Sequence, residues 1–189
     1  MKTQTISLDK FGILSIDNRF EIIFSVVLGS LFIAVFAKIS IPLPFSPIPI
    51  TGQTVAVLLL GGLLGSRRSA IAVLTYLMEG ALGLPVFANM KTGAHILMGP
   101  TAGYLWGFVI AAFFIGYISE KGFNKSIISS FLYCVLATMI ILASGVFYLS
   151  IFKVGFTQAM RIGFYPFVIG GIIKSLICAS VFTGVKKLN

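Results

Sequence analysis

The chain has 189 residues, of which 58% are hydrophobic and only 10% charged, and its mean hydropathy is +1.05. This composition leaves too little polar surface to cover a water-soluble globule, so a soluble fold is excluded. The net charge of +9 comes from basic residues that flank apolar runs, which indicates membrane topology and argues against nucleic-acid binding. The runs approach the ~20 residues of a spanning helix and lack β-barrel alternation, so we expect an all-α integral membrane protein.

The N-terminal segment, residues 1–19, precedes the first apolar run. It carries Lys and Asp residues among scattered apolar positions, without an A-x-A-like cleavage site. We expect this segment to be retained and to lie along the membrane surface as a short amphipathic helix. Residues 20–189 then form one membrane domain, because no linker is long enough to separate a second.

Six apolar stretches follow, and clear breakers end them. Four prolines between residues 42 and 49 end the first, Arg67-Arg68 separates the second from the third, and Glu120-Lys121-Gly122 ends the fourth. The predicted transmembrane helices cover about residues 20–41, 50–66, 69–84, 100–119, 126–150 and 162–184.

The basic residues predict the orientation of these helices. One side of the membrane would carry Lys2, Lys10, Arg19, Arg67, Arg68, Lys121, Lys125, Lys186 and Lys187, whereas the other would carry Lys91, Lys153 and Arg161. By the positive-inside rule the first side is cytoplasmic. Both termini are therefore predicted to be cytoplasmic, in agreement with an even number of spans.

Two unusual loops fall on the outer side. Ile41–Thr51 is rich in proline, and Gly83–Gly99 holds Phe87, Asn89 and Lys91. Aromatic, amide and cationic groups above a helical bundle are typical of a mouth or lid, although ordinary connections would also fit. The fourth helix starts near Thr101, where a helix N-terminus would present unpaired N–H groups that suit a carboxylate.

Lys174 is a lone cation within the apolar segment Phe164–Thr183. Burying a charge there costs about 2.5–3.5 kcal/mol or more, so such residues usually line a cavity and hold an anionic partner. The alternatives are a lysine that snorkels to an interface or pairs with a buried carboxylate. Glu79 in the third span is the candidate carboxylate, as a partner of Lys174 or of ligand N–H groups, or as a cap of its own helix. Gln53 offers a donor and an acceptor at the start of the second span.

Catalysis is hard to assemble from the remaining side chains. One His and five acids supply no zinc-ligand pair, paired carboxylates or G-x-S-x-G elbow, and no G-x-x-x-x-G-K-[ST] loop is present. We therefore expect a protein that is not an enzyme, has no cofactor or metal, and cannot power transport with its own ATPase site.

Small residues at helical spacing predict close helix contacts. Gly103, Gly107 and Ala111 on the fourth span, and Gly61 with Gly65 on the second, are interpreted as internal packing seams. A similar stripe on the first span is predicted to dock a partner, with internal packing as the alternative; it comprises Ser30, Ala34 and Ala37.

Four motifs of the chain are distinctive in combination: Pro47-Ile-Pro-Ile-Thr-Gly-Gln-Thr54, Leu64-Gly65 before the basic pair, Gly80-Ala-Leu-Gly-Leu-Pro-Val-Phe-Ala88 and Gly99-Pro-Thr-Ala-Gly-Tyr-Leu-Trp-Gly-Phe108. Together they resemble the BioY family, the biotin-binding substrate-capture (S) components of energy-coupling-factor (ECF) transporters. The resemblance covers about residues 25–185. Near the C-terminus the family's Pro-Gly-Asp-Leu-Ile-Lys corresponds to Ile169-Gly-Gly-Ile-Ile-Lys174, so Gly171 replaces the usual Asp and leaves Lys174 freer to meet a ligand carboxylate.

The resemblance implies a six-helix protein of the cytoplasmic membrane that binds biotin from outside and associates with a transmembrane coupling protein and two cytoplasmic ATPases. We expect Lys174 to face the biotin carboxylate, assisted by Lys91 or Thr101. The other predicted contacts are Gln53, Glu79 and Asn89 near the ureido group and Phe87 and Tyr104 against the bicyclic body. The alternatives are an S component for another small vitamin, a self-sufficient biotin facilitator, or an assembly protein without a ligand.

Overall fold

The computed structural model describes residues 18–122 and 126–187, and over these residues the chain is mostly helical, as expected. The predicted interfacial segment lies outside this part of the chain, apart from its last two residues, which begin the first helix. The elements are α1 Asn18–Ala37, β1 Ser40–Leu43, β2 Ser46–Thr51, α2 Gln53–Leu64, α3 Ser66–Ala81, α4 Ala102–Glu120, α5 Ile127–Leu149, α6 Phe156–Gly163 and α7 Tyr165–Lys187. Short 3-10 helices at Ala88–Met90 and Ala94–Met98 and a π-helical turn at Ser150–Val154 complete them.

Four of the described helices are long and apolar enough to cross a membrane: α1, α4, α5 and α7. The predicted second and third spans are shorter, because α2 has 12 residues and α3 has 16. At 1.5 Å per residue they extend roughly 18 and 24 Å, less than the ~30 Å of a bilayer's hydrocarbon core. The predicted sixth span is divided in two, since the chain bends at Phe164 between α6 and α7.

The proline-rich loop forms an antiparallel β-hairpin, so the prediction of an all-α protein is wrong at this point. Ser40 pairs with Thr51 and Ile41 with Ile50, and the register shifts between Ile41 and Leu43, where Pro42 lies. Proline lacks an N–H donor and is excluded from central strands, but each strand of a two-stranded hairpin has a free edge that needs no donor. The prolines that follow α1 prevent a helix there, but they do not prevent this segment from forming strands.

The core is built around α4, which contacts α2, α3 and α5. The predicted glycine seams are confirmed as internal contacts. A Cβ added at Gly103 would lie 2.6 Å from the carbonyl oxygen of Ser144 on α5, and one added at Gly61 would lie 2.8 Å from that of Ala112 on α4. Close approach of these helices requires residues without side chains.

A sharp elbow joins α2 to α3 at Gly65, whose φ of +81° favours glycine. The Glu120 carboxylate at the end of α4 accepts a hydrogen bond from the Ser66 N–H at 2.7 Å and from the Ser66 hydroxyl. This carboxylate satisfies donors at the α3 N-terminus and interacts favourably with the helix dipole. It thereby ties the elbow to the end of the bundle farthest from the hairpin.

The small-residue stripe on α1 faces the chain's own core, so its prediction as a docking surface is wrong. Ser30 is 0% exposed, Ala34 8% and Ala37 1%. The adjacent Gly29 packs closely on α3, where an added Cβ would lie 2.9 Å from the Cβ of Ala72. Small side chains allow α1 to approach α3 here, and large apolar residues such as Val27 and Val35 cover its outward face.

Candidate functional site

A cavity of about 120 Å³ lies at the end of the bundle that carries the hairpin. Its walls are β2, the first turn of α2, the segment between α3 and α4, and parts of α4, α5 and α7. An ordered water needs roughly 10–15 Å³ on this scale, so the cavity has room for a small organic molecule. Because α2 is short, the hairpin and the segment between α3 and α4 can lie over it and form walls of the cavity.

Lys174 reaches this cavity from α7. Its Nζ donates a hydrogen bond to the main-chain carbonyl oxygen of Thr51, at the end of β2, at 2.5 Å. No carboxylate lies among the described residues that line the cavity, where the charged groups are Lys174 and Lys91. A carbonyl dipole offsets only part of the cost of burying a cation, so the cavity favours an anionic guest.

Gln53 is held by a short chain of hydrogen bonds. Its Nε2 donates to the Tyr76 hydroxyl at 2.5 Å, and that hydroxyl donates to the carbonyl oxygen of Val86 at 3.1 Å. This arrangement fixes the orientation of the buried Gln53 amide and leaves its carbonyl oxygen and second N–H for a ligand. The α2 N-terminus is thereby tied to α3 and to the segment that follows α3.

Two aromatic residues form apolar walls. Phe87 is 2% exposed and meets the Tyr76 ring edge-on, with the ring centroids 5.6 Å apart. Tyr104 donates its hydroxyl to the carbonyl oxygen of Gly163 at 2.8 Å, and its ring lies against Phe167. These contacts fix both rings, so the cavity is largely preformed.

Thr101 lines the cavity at the start of α4, but two backbone N–H groups in the first turn of that helix already donate hydrogen bonds within the chain. The Ala102 N–H donates to the carbonyl oxygen of Gly99 at 2.9 Å, and the Tyr104 N–H donates to that of Thr101 at 3.1 Å. The expectation that this helix end offers its N–H groups to an anion is therefore wrong for these two donors.

Glu79 and Asn89 do not line the cavity. Glu79 Oε1 accepts a hydrogen bond from the Ser30 hydroxyl at 2.8 Å in the α1–α3 interface, so this carboxylate is not the partner of Lys174. Asn89 is exposed and takes a left-handed conformation, with φ 57° and ψ 32°. Asn tolerates this conformation better than most residues, which gives it a role in the turn. The other predicted ligand contacts, Lys174, Gln53, Lys91, Phe87, Thr101 and Tyr104, do line the cavity.

Sequence reasoning missed part of the lining. On α7 the lining residues around Lys174 are Pro166, Phe167, Gly170 and Gly171, and on α5 they are Thr138, Ile141 and Leu142. Spacings of three and four residues place each set on one helix face. For α7 this spacing, counted back from Lys174, was a usable signal, whereas α5 has no charged or unusual residue from which to start.

A helical membrane bundle that encloses an apolar cavity with fixed polar groups defines a membrane-embedded protein that binds a small molecule. The similarities found to known proteins agree with this class. The BioY family profile matches residues 9–189. The chain is 44% identical over 158 residues to "Biotin transporter BioY" of Thermotoga maritima, covering 83% of this chain and 90% of that protein. It is 38% identical to the "Biotin transporter BioY" of Rhizobium etli, covering 81% of this chain and 88% of that one.

The fold also matches a solved structure, that of the S-component for biotin from an ECF-type ABC transporter. The TM-score is 0.81 at 23% sequence identity, and the match covers 92% of this chain and 95% of the other. At this identity the match shows the fold. With the family profile and the close relatives, it establishes that the chain belongs to the BioY family.

Proposed function

We propose that this chain captures biotin outside the cell and delivers it to an ATP-driven ECF-type uptake transporter. Its relatives are named biotin transporters, and the structural neighbour is an S-component for biotin. The observation that carries the proposal is the cavity, which combines aromatic walls with two lysines, an oriented amide and no lining carboxylate among the described residues. Biotin matches this set, with an apolar bicyclic body, a ureido head and a valerate carboxylate.

The arrangement of the side chains supports one orientation of the ligand. The carboxylate approaches the ammonium of Lys174, with Lys91 at the exposed mouth as a second cation. The Gln53 amide forms hydrogen bonds with the ureido group, since it is buried and its orientation is fixed. Phe87 and Tyr104 pack against the bicyclic rings. A ligand held by complementary groups at both ends is distinguished from other vitamins by its length as well as its charge.

The topology proposed for the chain has six spans and cytoplasmic termini in the cell membrane. Four long apolar helices support the spans, and α2 and α3 would cross with the help of the chain around them. The Arg67-Arg68 elbow is at the end of the bundle opposite the cavity, so the positive-inside rule puts the cavity on the outer side.

The driving force must come from a partner, because the sequence has no phosphate-binding loop. A transmembrane coupling protein and two cytoplasmic ATPases are the proposed partners. The partner-facing surface is not the α1 stripe, which is buried.

Radiolabelled biotin tests the proposal in two assays. Saturable binding to the purified chain, together with uptake into cells that requires co-expression of the ATPases, is the expected result. Binding with ATPase-independent uptake would indicate a self-sufficient facilitator. Failure to bind biotin, with another vitamin co-purifying in mass spectrometry, would overturn the assignment.

A further inference from the structure

The junction between α6 and α7 leaves two main-chain carbonyl groups without helical donors. In a continuous α-helix, the N–H of each residue donates to the carbonyl oxygen four residues before it. Pro166 has no N–H, so the carbonyl oxygen of Ile162 lacks this donor. The next N–H, that of Phe167, donates at 2.9 Å to the carbonyl oxygen of Phe164 instead of to that of Gly163. The carbonyl oxygens of Ile162 and Gly163 can therefore accept bonds from other parts of the chain.

Two hydroxyl groups from different walls of the cavity donate to these carbonyl oxygens. Ser46 on β2 donates to the carbonyl oxygen of Ile162 at 2.7 Å, and Tyr104 on α4 donates to that of Gly163 at 2.8 Å. A carbonyl group that loses its donor inside a protein is costly, which favours both bonds. Because the two acceptors are adjacent in the chain, one turn holds both the hairpin and an aromatic wall of the cavity.

Tyr104 reaches this turn through a slot between glycine residues. A Cβ added at Gly145 on α5 would overlap the Tyr104 ring, and one added at Gly163 would overlap the Tyr104 hydroxyl. Approach this close requires residues without side chains. Gly163 therefore supplies both the space for the hydroxyl and the carbonyl oxygen that accepts its bond. The position of Tyr104 thus depends on the path of the chain at the junction.

We propose that Pro166 is a positioning residue that breaks the helix between α6 and α7 and so frees one turn to couple the hairpin to the Tyr104 wall. A ligand that packs against Tyr104 is then retained by the turn that holds the hairpin, because loss of either bond loosens the backbone that accepts the other. The inference rests on the proposed function and adds how the cavity retains its ligand. It does not depend on which end of the ligand meets Lys174.

A double-mutant cycle on the dissociation rate of labelled biotin tests this coupling. Ser46→Ala and Tyr104→Phe each remove one hydroxyl, and each should speed dissociation from the purified chain roughly two- to tenfold, with a smaller effect on association. The double variant should release biotin at nearly the rate of the faster single variant, because the shared turn is already loosened. If the two effects multiply, or if neither single variant changes the rate, the inference is overturned.

Ser144→Ala provides the matched control beside Tyr104. The Ser144 hydroxyl donates to the carbonyl oxygen of Gly103 at 2.8 Å and joins α5 to α4 without involving the turn between α6 and α7. The effects of Ser144→Ala and Ser46→Ala on the dissociation rate should therefore multiply. A similar departure from multiplication in this pair would indicate a general loosening of the bundle and contradict the inference.

A third comparison tests the proline itself. Pro166→Ala supplies an N–H that competes with the Ser46 hydroxyl for the carbonyl oxygen of Ile162, so Ser46→Ala should speed dissociation less in this background than in the wild type. The comparison is between chains that share residue 166, so the direct effect of changing this lining residue cancels. Pro85 is exposed and does not line the cavity, and Pro85→Ala should preserve the full effect of Ser46→Ala.

The outcomes separate the inference from the proposed function. An undiminished effect of Ser46→Ala in the Pro166→Ala background would overturn the role of the proline while leaving biotin binding intact. An equally diminished effect in the Pro85→Ala background would do the same, because the loss would not be specific to the junction. A wild-type chain that does not bind biotin would overturn the proposed function and the inference together.

Discussion

Lys174 has an environment that departs from that of an ordinary membrane helix. Its ammonium is half-buried and bonded to the Thr51 carbonyl oxygen, which links α7 to the end of the hairpin across the cavity. The same cation therefore supports the outer wall and, in the proposed orientation of the ligand, meets its carboxylate. A buried charge with a neutral partner has more to gain from a carboxylate than one already in an ion pair.

Replacing Lys174 with Met should weaken biotin binding by about 2–5 kcal/mol, because the ligand carboxylate would lose a desolvated cation. Lys91→Met is the matched control; Lys91 is exposed at the mouth, so its loss should cost about 1 kcal/mol or less. Equilibrium binding of labelled biotin measures both. Wild-type affinity in Lys174→Met would contradict the orientation proposed for the ligand.

Glu79 illustrates how a polar group inside the bundle can take part in helix packing without lining the cavity. Its Oε1 accepts the Ser30 hydroxyl, and its Oε2 is buried without a hydrogen-bond partner among the described residues. Glu79→Gln should keep the bond to Ser30 and remove a poorly compensated charge. We expect biotin affinity within about twofold of wild type and a melting temperature that does not fall. A large loss of biotin affinity in Glu79→Gln would indicate that this carboxylate takes part in ligand binding.

At the scale of single elements, α1 has one face that packs inside the bundle and another that is exposed. Ser30→Trp with Ala34→Trp should prevent α1 from packing on α3, since overpacking typically costs 1–3 kcal/mol at each site. Val27→Trp with Val35→Trp is the control on the outward face of the same helix, where both residues are exposed. Size-exclusion chromatography in detergent should show a loss of folded protein for the first pair alone. If the Ser30→Trp, Ala34→Trp variant folds and binds biotin but has lost transport, the stripe is a docking surface as first predicted.

The hairpin is tied to the bundle at both ends of β2. Besides the Lys174 bond at Thr51, the Ser46 hydroxyl donates to the carbonyl oxygen of Ile162 in α6 at 2.7 Å. These bonds hold the outer wall of the cavity in place. Release of a ligand past the hairpin would require at least one of them to break.

Ser46→Ala should loosen the hairpin and speed biotin release. A hydrogen bond contributes about 0.5–1.5 kcal/mol, so the dissociation rate should rise roughly two- to tenfold, with a smaller effect on association. Ser180→Ala is the control, because the Ser180 hydroxyl bonds within α7 to the carbonyl oxygen of Leu176 on an exposed face. An unchanged dissociation rate in Ser46→Ala would indicate that the ligand leaves by another route.

At the scale of the whole molecule, the two ends of the bundle differ in chemistry. One end has the Arg67-Arg68 elbow and Lys121, and the other has the hairpin and the cavity. Single cysteines test the orientation, since the native Cys134 and Cys178 are buried. In intact cells an impermeant thiol reagent should label Thr92→Cys, whereas Arg67→Cys should react only after permeabilisation. The reverse pattern would invert the proposed topology.

The sequence by itself determined the membrane class, the family resemblance and most helix positions, because these depend on local composition and on motifs that are continuous in the chain. It also singled out Lys174, Gln53, Phe87 and Tyr104, which line the cavity, since a lone charge, an amide after a turn and aromatic residues beside loops are unusual at these positions. The hydrophobic pattern could not show that α2 is too short to span unaided, because it does not separate the end of β2, at Ile50 and Thr51, from the start of the helix at Gln53.

Only the tertiary structure decided which helix faces meet. The α1 stripe and Glu79 fit an internal contact as well as an external one by their spacing, and the contact between Ser30 and Glu79 joins residues that are far apart in the chain. The hairpin and the α5 wall of the cavity likewise depend on the assembled bundle. Helix periodicity specifies a face, but the partner of that face follows from the packing of the whole chain, which no local pattern encodes.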